Sequence, residues 1–449
     1  MNSITVAVSI LFSSLALILP APYSLAIYVA ALVSYPNYVK MDVAGLDFTV
    51  LRVVILAVLL RGIIASSAKP LRFQTLDWLV ALVFGAELAA GMMTSPSFMD
   101  FMINRAGATF DMMLPYIAVR LIIRSRQHLK KFLFASLLFM IPTALLGVYQ
   151  SLTGFNPYAP LESLVYWNVK PSEYGKRFNL TRANVVFAHP IIFGLVYAMF
   201  IPLFVGLRKT FKGYSWLWMA GVGIILLGVL SSVSSGTYLA VMIFTAFLIG
   251  YRFRRYWKPV VAVCILGLLI VDIISNRNWY HVLSDFTLNS RTSWYRGRLV
   301  EVAISEGGMS GHWVAGYGYG QEPGWGARID GRSYTDMVNH YLLVLSRSGL
   351  IGFIPFVLMN IWVVEHLNRA WKRAPSEADR YIVWGLSAAF FALALSSFSV
   401  SLEGPPSTVY FLMIGLAGTL PEMMPPRRRR VLPSPGRKRI IARQVEHVL

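Results

Sequence analysis

"FAHPIIFGLVYAMFIPLFVGLRKTFKG", residues 187–213, sets the terms for the rest of the chain. Positions 187–207 carry no Asp, Glu, Lys or Arg, and positions 208–213 carry three basic residues and no acid. An apolar run of about 20 residues spans a hydrocarbon core of roughly 30 Å as a helix. A short basic segment after it marks the cytoplasmic side. Pro190 stands in what would be the first helical turn, where its missing N–H costs nothing. Comparable runs recur from end to end. Apolar residues make up 56% of the chain and charged residues only 14%, too little charge to cover a water-soluble protein of 449 residues. The runs do not alternate as barrel strands do, so they read as helices.

The reading is therefore an all-α polytopic membrane protein. The candidate spans are 3–19, 22–36, 46–66, 76–93, 106–123, 132–152, 187–207, 215–232, 235–251, 258–275, 339–364, 381–400 and 405–421. Pro20 and Pro22 split the first two, which are either a tight hairpin or one broken span, giving 12 or 13 crossings. The first span lacks the basic flank of a cleavable signal and is read as retained. Residues 1–421 form one transmembrane domain, and 422–449 form a basic, disordered tail. No internal repeat of the transporter kind is found.

The formal charge of +20 sits mostly in short loops, which points to membrane lipid and topology rather than nucleic acid. "RSRQHLKK" (124–131), "RKTFKG" (208–213) and "RFRRYWK" (252–258) fall at alternate connections. Lys69 and Arg72 in loop 67–74 fall on the same side, as does the tail with Arg427, Arg428, Arg429 and Arg430. That side is the cytoplasm. The two long polar segments, 153–186 and 276–338, then lie outside. The second holds six Arg and six acidic residues, a balanced and structured loop before the last three spans. Cys264 is the only cysteine, so an intramolecular disulfide and a cysteine metal cluster are excluded.

The chemistry belongs at the outer end. Arg291, Arg296 and Arg298 crowd the stretch "NSRTSWYRGRLVEVAISEG" (289–307), which reads as a short surface helix with Trp294 and Tyr295 at headgroup depth. Arg177 and Arg182 precede the span that opens at His189. Guanidinium groups bind oxyanions through a fixed fork; an arginine at the end of a span also serves as a lipid anchor. "GYGYGQEPGWG" (316–326) is either a close approach to a ligand or a tight turn packed on the bundle. His340, with Asp336 four residues before it and Tyr341 beside it, opens the next span. On a helix Asp336 would share its face and orient the ring, leaving His340 as a proton acceptor; the alternative is a hydrogen-bonded interfacial histidine. Glu87 and Asp111 are charges within spans, with Arg105 a partner for Asp111, and Asp77 reads as a helix cap.

Together "FNLTRANVVFAHPIIFG" (178–194), "SSVSSGTYLAVMIF" (231–244), "RTSWYRGRLVEVAI" (291–304) with the following "GYGYG", and "DMVNHYLLVLSRSGLIGFIPF" (336–356) resemble the O-antigen ligase and polymerase family of bacterial envelope glycosyltransferases. The likeness runs from about residue 100 to 360 and includes "FDMMLPYIAVRLIIRS" (110–125). It implies a GT-C-like architecture in the inner membrane and a periplasmic site. It also implies an undecaprenyl-diphosphate-linked glycan as donor, a glycan or lipid as acceptor, and inverting chemistry with no cofactor or metal. Arg182 and Arg296 would hold the diphosphate, with Arg291, Arg298 and Arg177 as further contacts, and His340 would be the base. His189, Asp336 and Tyr341 complete the expected substrate site. Where family members carry an arginine near the span at 235, this chain has Ser235-Gly236. The details lean to an exopolysaccharide polymerase. A ligase acting on lipid A core or protein, and a lipid-linked glycan transporter, are the alternatives.

Overall fold

The computed structural model of the chain describes residues 3–43, 46–66, 71–165, 170–171, 174–211, 213–256, 263, 266–267, 270 and 290–424. Cys264, nearly all of the expected span 258–275, the loop start 276–289 and the tail from 425 lie outside the described residues, and so does the Arg291 side chain.

The fold is almost entirely helical. In chain order the helices are α1 (Ser3–Ile18), α2 (Ala21–Ser34), α3 (Val50–Ser66), α4 (Thr75–Thr94), α5 (Phe98–Ala108), α6 (Leu114–Ile122), α7 (Arg126–Thr153) and α8 (Ala159–Glu162). There follow α9 (Pro190–Leu207), α10 (Ser215–Ser231), α11 (Ser235–Gly250), α12 (Ser290–Val300), α13 (Trp325–Ile329), α14 (His340–Arg373), α15 (Glu377–Ser396) and α16 (Pro405–Met423). Two small antiparallel hairpins pair β1 (Lys40–Val43) with β2 (Leu46–Thr49) and β3 (Lys176–Arg177) with β4 (Leu180–Thr181). Among the described residues, six helices are long and apolar enough to cross a membrane: Thr75–Thr94, Arg126–Thr153, Pro190–Thr210, Ser235–Arg254, His340–Arg373 and Glu377–Ser396. The chain is a helical membrane protein.

Local chemistry sets the boundaries. Ser125, His189, Asn339 and Ser376 cap α7, α9, α14 and α15 by accepting backbone N–H groups. α7 ends at Gly154 in the left-handed region, φ 80°. The first two spans are an antiparallel hairpin, because the Thr5 hydroxyl at the start of α1 lies 2.7 Å from that of Tyr35 after α2. Residues 46–49, expected to begin a span, form β2 instead, with Lys40 and Asp47 paired at 2.8 Å. The span expected at 106–123 begins at Phe98 and passes through a π-helical turn at Thr109–Met113. α14 is broken inside: Gly349 has φ 56° and ψ −158°, and a Cβ there would lie 2.2 Å from the Val314 carbonyl oxygen. Only glycine tolerates that conformation and that approach. Leu350 and Ile351 donate to the carbonyls of Trp313 and Val314, and Tyr317 N–H donates to Ser346. The "GYGYG" segment is thus a strap packed into the helix break.

α9 lies at the centre, against α10, α11 and α15. Close approach of α9 to α15 depends on small residues, since a Cβ on Gly385 would sit 2.3 Å from the Pro202 carbonyl oxygen. Lipid tails are as apolar as leucine, so backbone proximity of this kind supplies much of the helix association. A smaller core ties the long loop to the first turns of α14: Tyr295, Leu299, Val302, Trp325 and Ile329 pack with Leu342 and Leu345. Tyr295 is therefore inside that core.

The ion pairs separate into two ends. One end joins Arg120 to Asp77, Arg126 to Asp379 and Lys209 to Glu377. The other joins Arg52 to Asp111, Arg105 to Glu87 and Arg347 to Glu403. Asp77 is more than a cap: with Arg120 it forms a buried pair at 3.0 Å, to which Tyr116 adds a hydrogen bond of 2.5 Å.

Candidate anion site and the adjoining cavity

Arg177 and Arg182 are placed by the β3–β4 hairpin. Its two turn residues, Phe178 and Asn179, have φ of 52° and 61°, as a tight two-residue hairpin requires. The segment after it is pinned to α7 by one side chain. Gln150 Oε1 accepts the N–H groups of Asn184 (3.1 Å) and Val185 (2.9 Å), and its Nε2 donates to Asn184 Oδ1 at 2.7 Å. Arg177 donates to the carbonyl of Val233, a residue held at φ 43° in the turn between α10 and α11.

Arg296 reaches the same place from α12. It is 6% exposed, and its Nε donates to the Ser399 carbonyl at 3.0 Å. Arg182 Nε and Arg296 Nη1 are buried guanidinium nitrogens with no hydrogen-bond partner among the described residues. Burial, then the charge of Arg177, brings both Arg182 and Arg296 down to about 10. His189 is brought down to about 3 by burial and by Arg182 and Arg177, so it is neutral at physiological pH. Its Nδ1 accepts from Ile191 N–H at 3.0 Å, which places the ring proton on Nε2 as a donor. Three cations and a neutral imidazole donor thus converge in a desolvated site. Buried polar donors without partners are expensive.

Asp336 completes the group. It lies outside helix and strand, its N–H donates to Tyr295 Oη at 2.9 Å, and it interacts electrostatically with Arg332 and Arg296. The protein surrounding its carboxylate raises its pKa, and the two arginines oppose that rise. It does not orient His340. α14 begins at His340, so the one-turn spacing that would join the two residues is absent.

His340 faces elsewhere. Its N–H donates to the Ser397 carbonyl at 2.8 Å, and its Nδ1 accepts from Leu402 N–H at 3.2 Å. The neutral ring then carries its proton on Nε2 and donates there. In that tautomer both ring nitrogens have a set role, Nδ1 as acceptor and Nε2 as donor. Tyr341 is a tie between helices: its hydroxyl donates to Ala394 at 2.9 Å and its ring packs on Phe398. Arg298 is turned from the site and paired with Glu301 (2.9 Å) and with Glu306.

The His340 ring lines a cavity of about 310 Å³ between β1–β2, α4, α5, α14 and the start of α16. Four ion pairs lie in its wall: Lys40–Asp47 at 2.8 Å, and Arg52–Asp111, Arg105–Glu87 and Arg347–Glu403 each at 2.6 Å. Arg105 thus pairs with Glu87 and not with Asp111, as its sequence position had implied. Asp111 accepts both Nε and Nη2 of Arg52, and the π turn carries Asp111. The guanidinium carbons of Arg105 and Arg347 lie 4.3 Å and 4.8 Å from the centre of the Tyr319 ring. Arg52, Arg347, Glu403 and Tyr319 escaped the sequence reading. Arg52 and Arg347 did leave one signal, a charge within a turn or two of the outer end of a span.

No family model matches the chain, and no curated protein matches it.

Proposed function

We propose that this protein is a membrane glycosyltransferase that polymerises repeat units of an exopolysaccharide or O-antigen type. Its donor would be a glycan on undecaprenyl diphosphate. The observation that carries the proposal is the convergence of Arg177, Arg182 and Arg296 from two distant segments, with two of their buried nitrogens lacking partners among the described residues. The reading takes a GT-C-like bundle in the inner membrane, with thirteen crossings when both helices of the N-terminal hairpin are counted. The arginine site faces the periplasm and the basic tail the cytoplasm, as the distribution of Lys and Arg supports.

In the reaction, the acceptor oxygen bonds to the anomeric carbon from the side opposite the diphosphate. The glycosidic C–O bond breaks, its electron pair passes to the leaving diphosphate, and the anomeric centre inverts. Arg182, Arg296 and Arg177 stabilise the departing charge, and His189 Nε2–H adds a neutral donor. The acceptor proton goes to the Asp336 carboxylate, whose raised pKa moves it toward the operating pH. Asp336 therefore replaces His340 as the base in this proposal.

The test uses full-length protein in lipid nanodiscs with an undecaprenyl-diphosphate-linked repeat unit, and chain length is read by gel. Asp336→Asn should abolish polymer while inorganic pyrophosphate still binds. Polymer of normal length from Arg182→Ala and Arg296→Ala would remove the diphosphate site and with it the proposal. An active Asp336→Asn beside an inactive His340→Gln would return the base to His340.

A further inference from the structure

We propose that the cavity lined by His340 is a saccharide subsite that takes a neutral, polyhydroxylated ligand, the sugar units of the acceptor chain; as an acceptor subsite it rests on the glycosyltransferase reading. Its size falls at the lower end of small-ligand pockets, roughly 300–1,000 Å³.

Charge separates it from the arginine site. Each cation in its wall is matched by a carboxylate at 2.8 Å or less, so it has donors and acceptors side by side with no net charge. An anion gains little from a cation whose charge is already answered. A sugar hydroxyl gains from both partners, because it accepts from a guanidinium and donates to the neighbouring carboxylate. Arg105 Nε is buried without a hydrogen-bond partner among the described residues, a donor in the cavity wall beside the Glu87 pair. Phe48 and Phe110 meet edge to face at 5.8 Å in the wall and supply apolar surface for a sugar face.

Position joins the two sites. The segment from Ser397 to Gly404 forms part of the cavity wall through Leu402, Glu403 and Gly404. The same segment holds Arg296 through the Ser399 carbonyl and His340 through Ser397 and Leu402. A glycan seated in the cavity therefore lies across one short loop from the arginine that would hold the donor.

The test is calorimetry on the full chain in nanodiscs, with neutral tri- to hexasaccharides of glucose, galactose and N-acetylglucosamine as probes. Uronic-acid oligomers and inorganic pyrophosphate serve as anionic counterparts. At least one neutral series should bind, and Glu87→Gln should weaken it at least about tenfold, with pyrophosphate affinity unchanged. Asn104→Trp, a bulky change at an exposed position on the cavity wall, gives the same loss should Glu87→Gln fail to fold. Neutral sugar binding without pyrophosphate binding would support the subsite while removing the glycosyltransferase reading. Pyrophosphate binding with no neutral sugar bound, or uronic-acid oligomers binding more tightly than neutral ones, would overturn the subsite and leave that reading in place.

Discussion

Replacing Arg296 by Gln separates stability from anion binding, and both effects follow from the same geometry. Arg296 is 6% exposed, and burial together with Arg177 lowers its pKa from the ordinary arginine value to about 10. That fall corresponds to a penalty of about 3 kcal/mol for holding the charge in the folded protein. The sign is fixed by linkage. Below about pH 10 both folded and unfolded Arg296 are charged, so the whole penalty is present; it disappears only as pH rises above about 10 toward the ordinary arginine value. Gln removes the penalty, but it also removes the charge-assisted bond from Nε to Ser399, worth about 1.5–3 kcal/mol. The two nearly cancel. In nanodiscs without ligand, Arg296→Gln should therefore unfold within a few degrees of the unsubstituted protein. Pyrophosphate affinity should meanwhile fall about 10- to 100-fold, the loss of one charge-assisted contact. Arg298→Gln is the control, because Arg298 is committed to Glu301 and Glu306 and should leave affinity unchanged. A collapse of stability in Arg296→Gln, or an equal loss of affinity in Arg298→Gln, would refute the reasoning.

Two further outcomes follow from the same kind of argument. His189 is neutral when folded down to about pH 3, whereas its unfolded form takes a proton below about 6.5, so stability should fall as pH drops between those values; His189→Asn, which keeps a capping oxygen, should flatten that part of a melting-temperature profile. Arg120→Ala should cost about 3–5 kcal/mol by leaving Asp77 buried and unpaired, read as thermal unfolding in detergent, while replacing both residues with apolar ones of similar size should cost less.

What the sequence disclosed divides by the range of the interaction. Apolar runs declare themselves locally, so helices such as Pro190–Leu207 and Glu377–Ser396 were legible to within a few residues. The N-terminal hairpin was open between two forms because Pro20 breaks a helix either way; the Thr5–Tyr35 contact decides it. The Gly349 break lies inside the expected span 339–364, and its cause lies in Val314, just before the "GYGYG" strap. The arginines of the anion site were legible as charges at the outer ends of spans. The orientation of His340 was not: its tautomer is set by the N–H of Leu402, 62 residues along the chain. Pairing was equally opaque. Arg105 has Asp111 six residues away in sequence, yet Asp111 goes to Arg52, 59 residues off, and Arg105 goes to Glu87.

The distribution of paired and unpaired charge at this end explains why the two sites need not compete for one ligand. A membrane protein with so few charged residues matches nearly every buried one, because an unanswered charge in a poorly hydrated region is costly. The cavity wall follows that rule at two partly buried pairs, Arg52–Asp111 and Arg105–Glu87. The arginine site breaks it, with Arg177, Arg182 and Arg296 acting on one another and Asp336 as the nearby carboxylate. Tolerating such an imbalance makes sense where a polyanion supplies the missing charge during function, since the strain in the free site then becomes binding energy for the diphosphate. The loop Ser397–Gly404 fixes how the sites meet. It is held by Arg296 from α12, by both ends of a hydrogen-bonded pair with His340, and by Arg347 through Glu403. Anchoring from separate elements limits how far the loop can shift, and orientation between two reactants is the term in which a shift of an ångström is most damaging. In the proposed reaction His340 holds that loop, and Asp336 takes the acceptor proton.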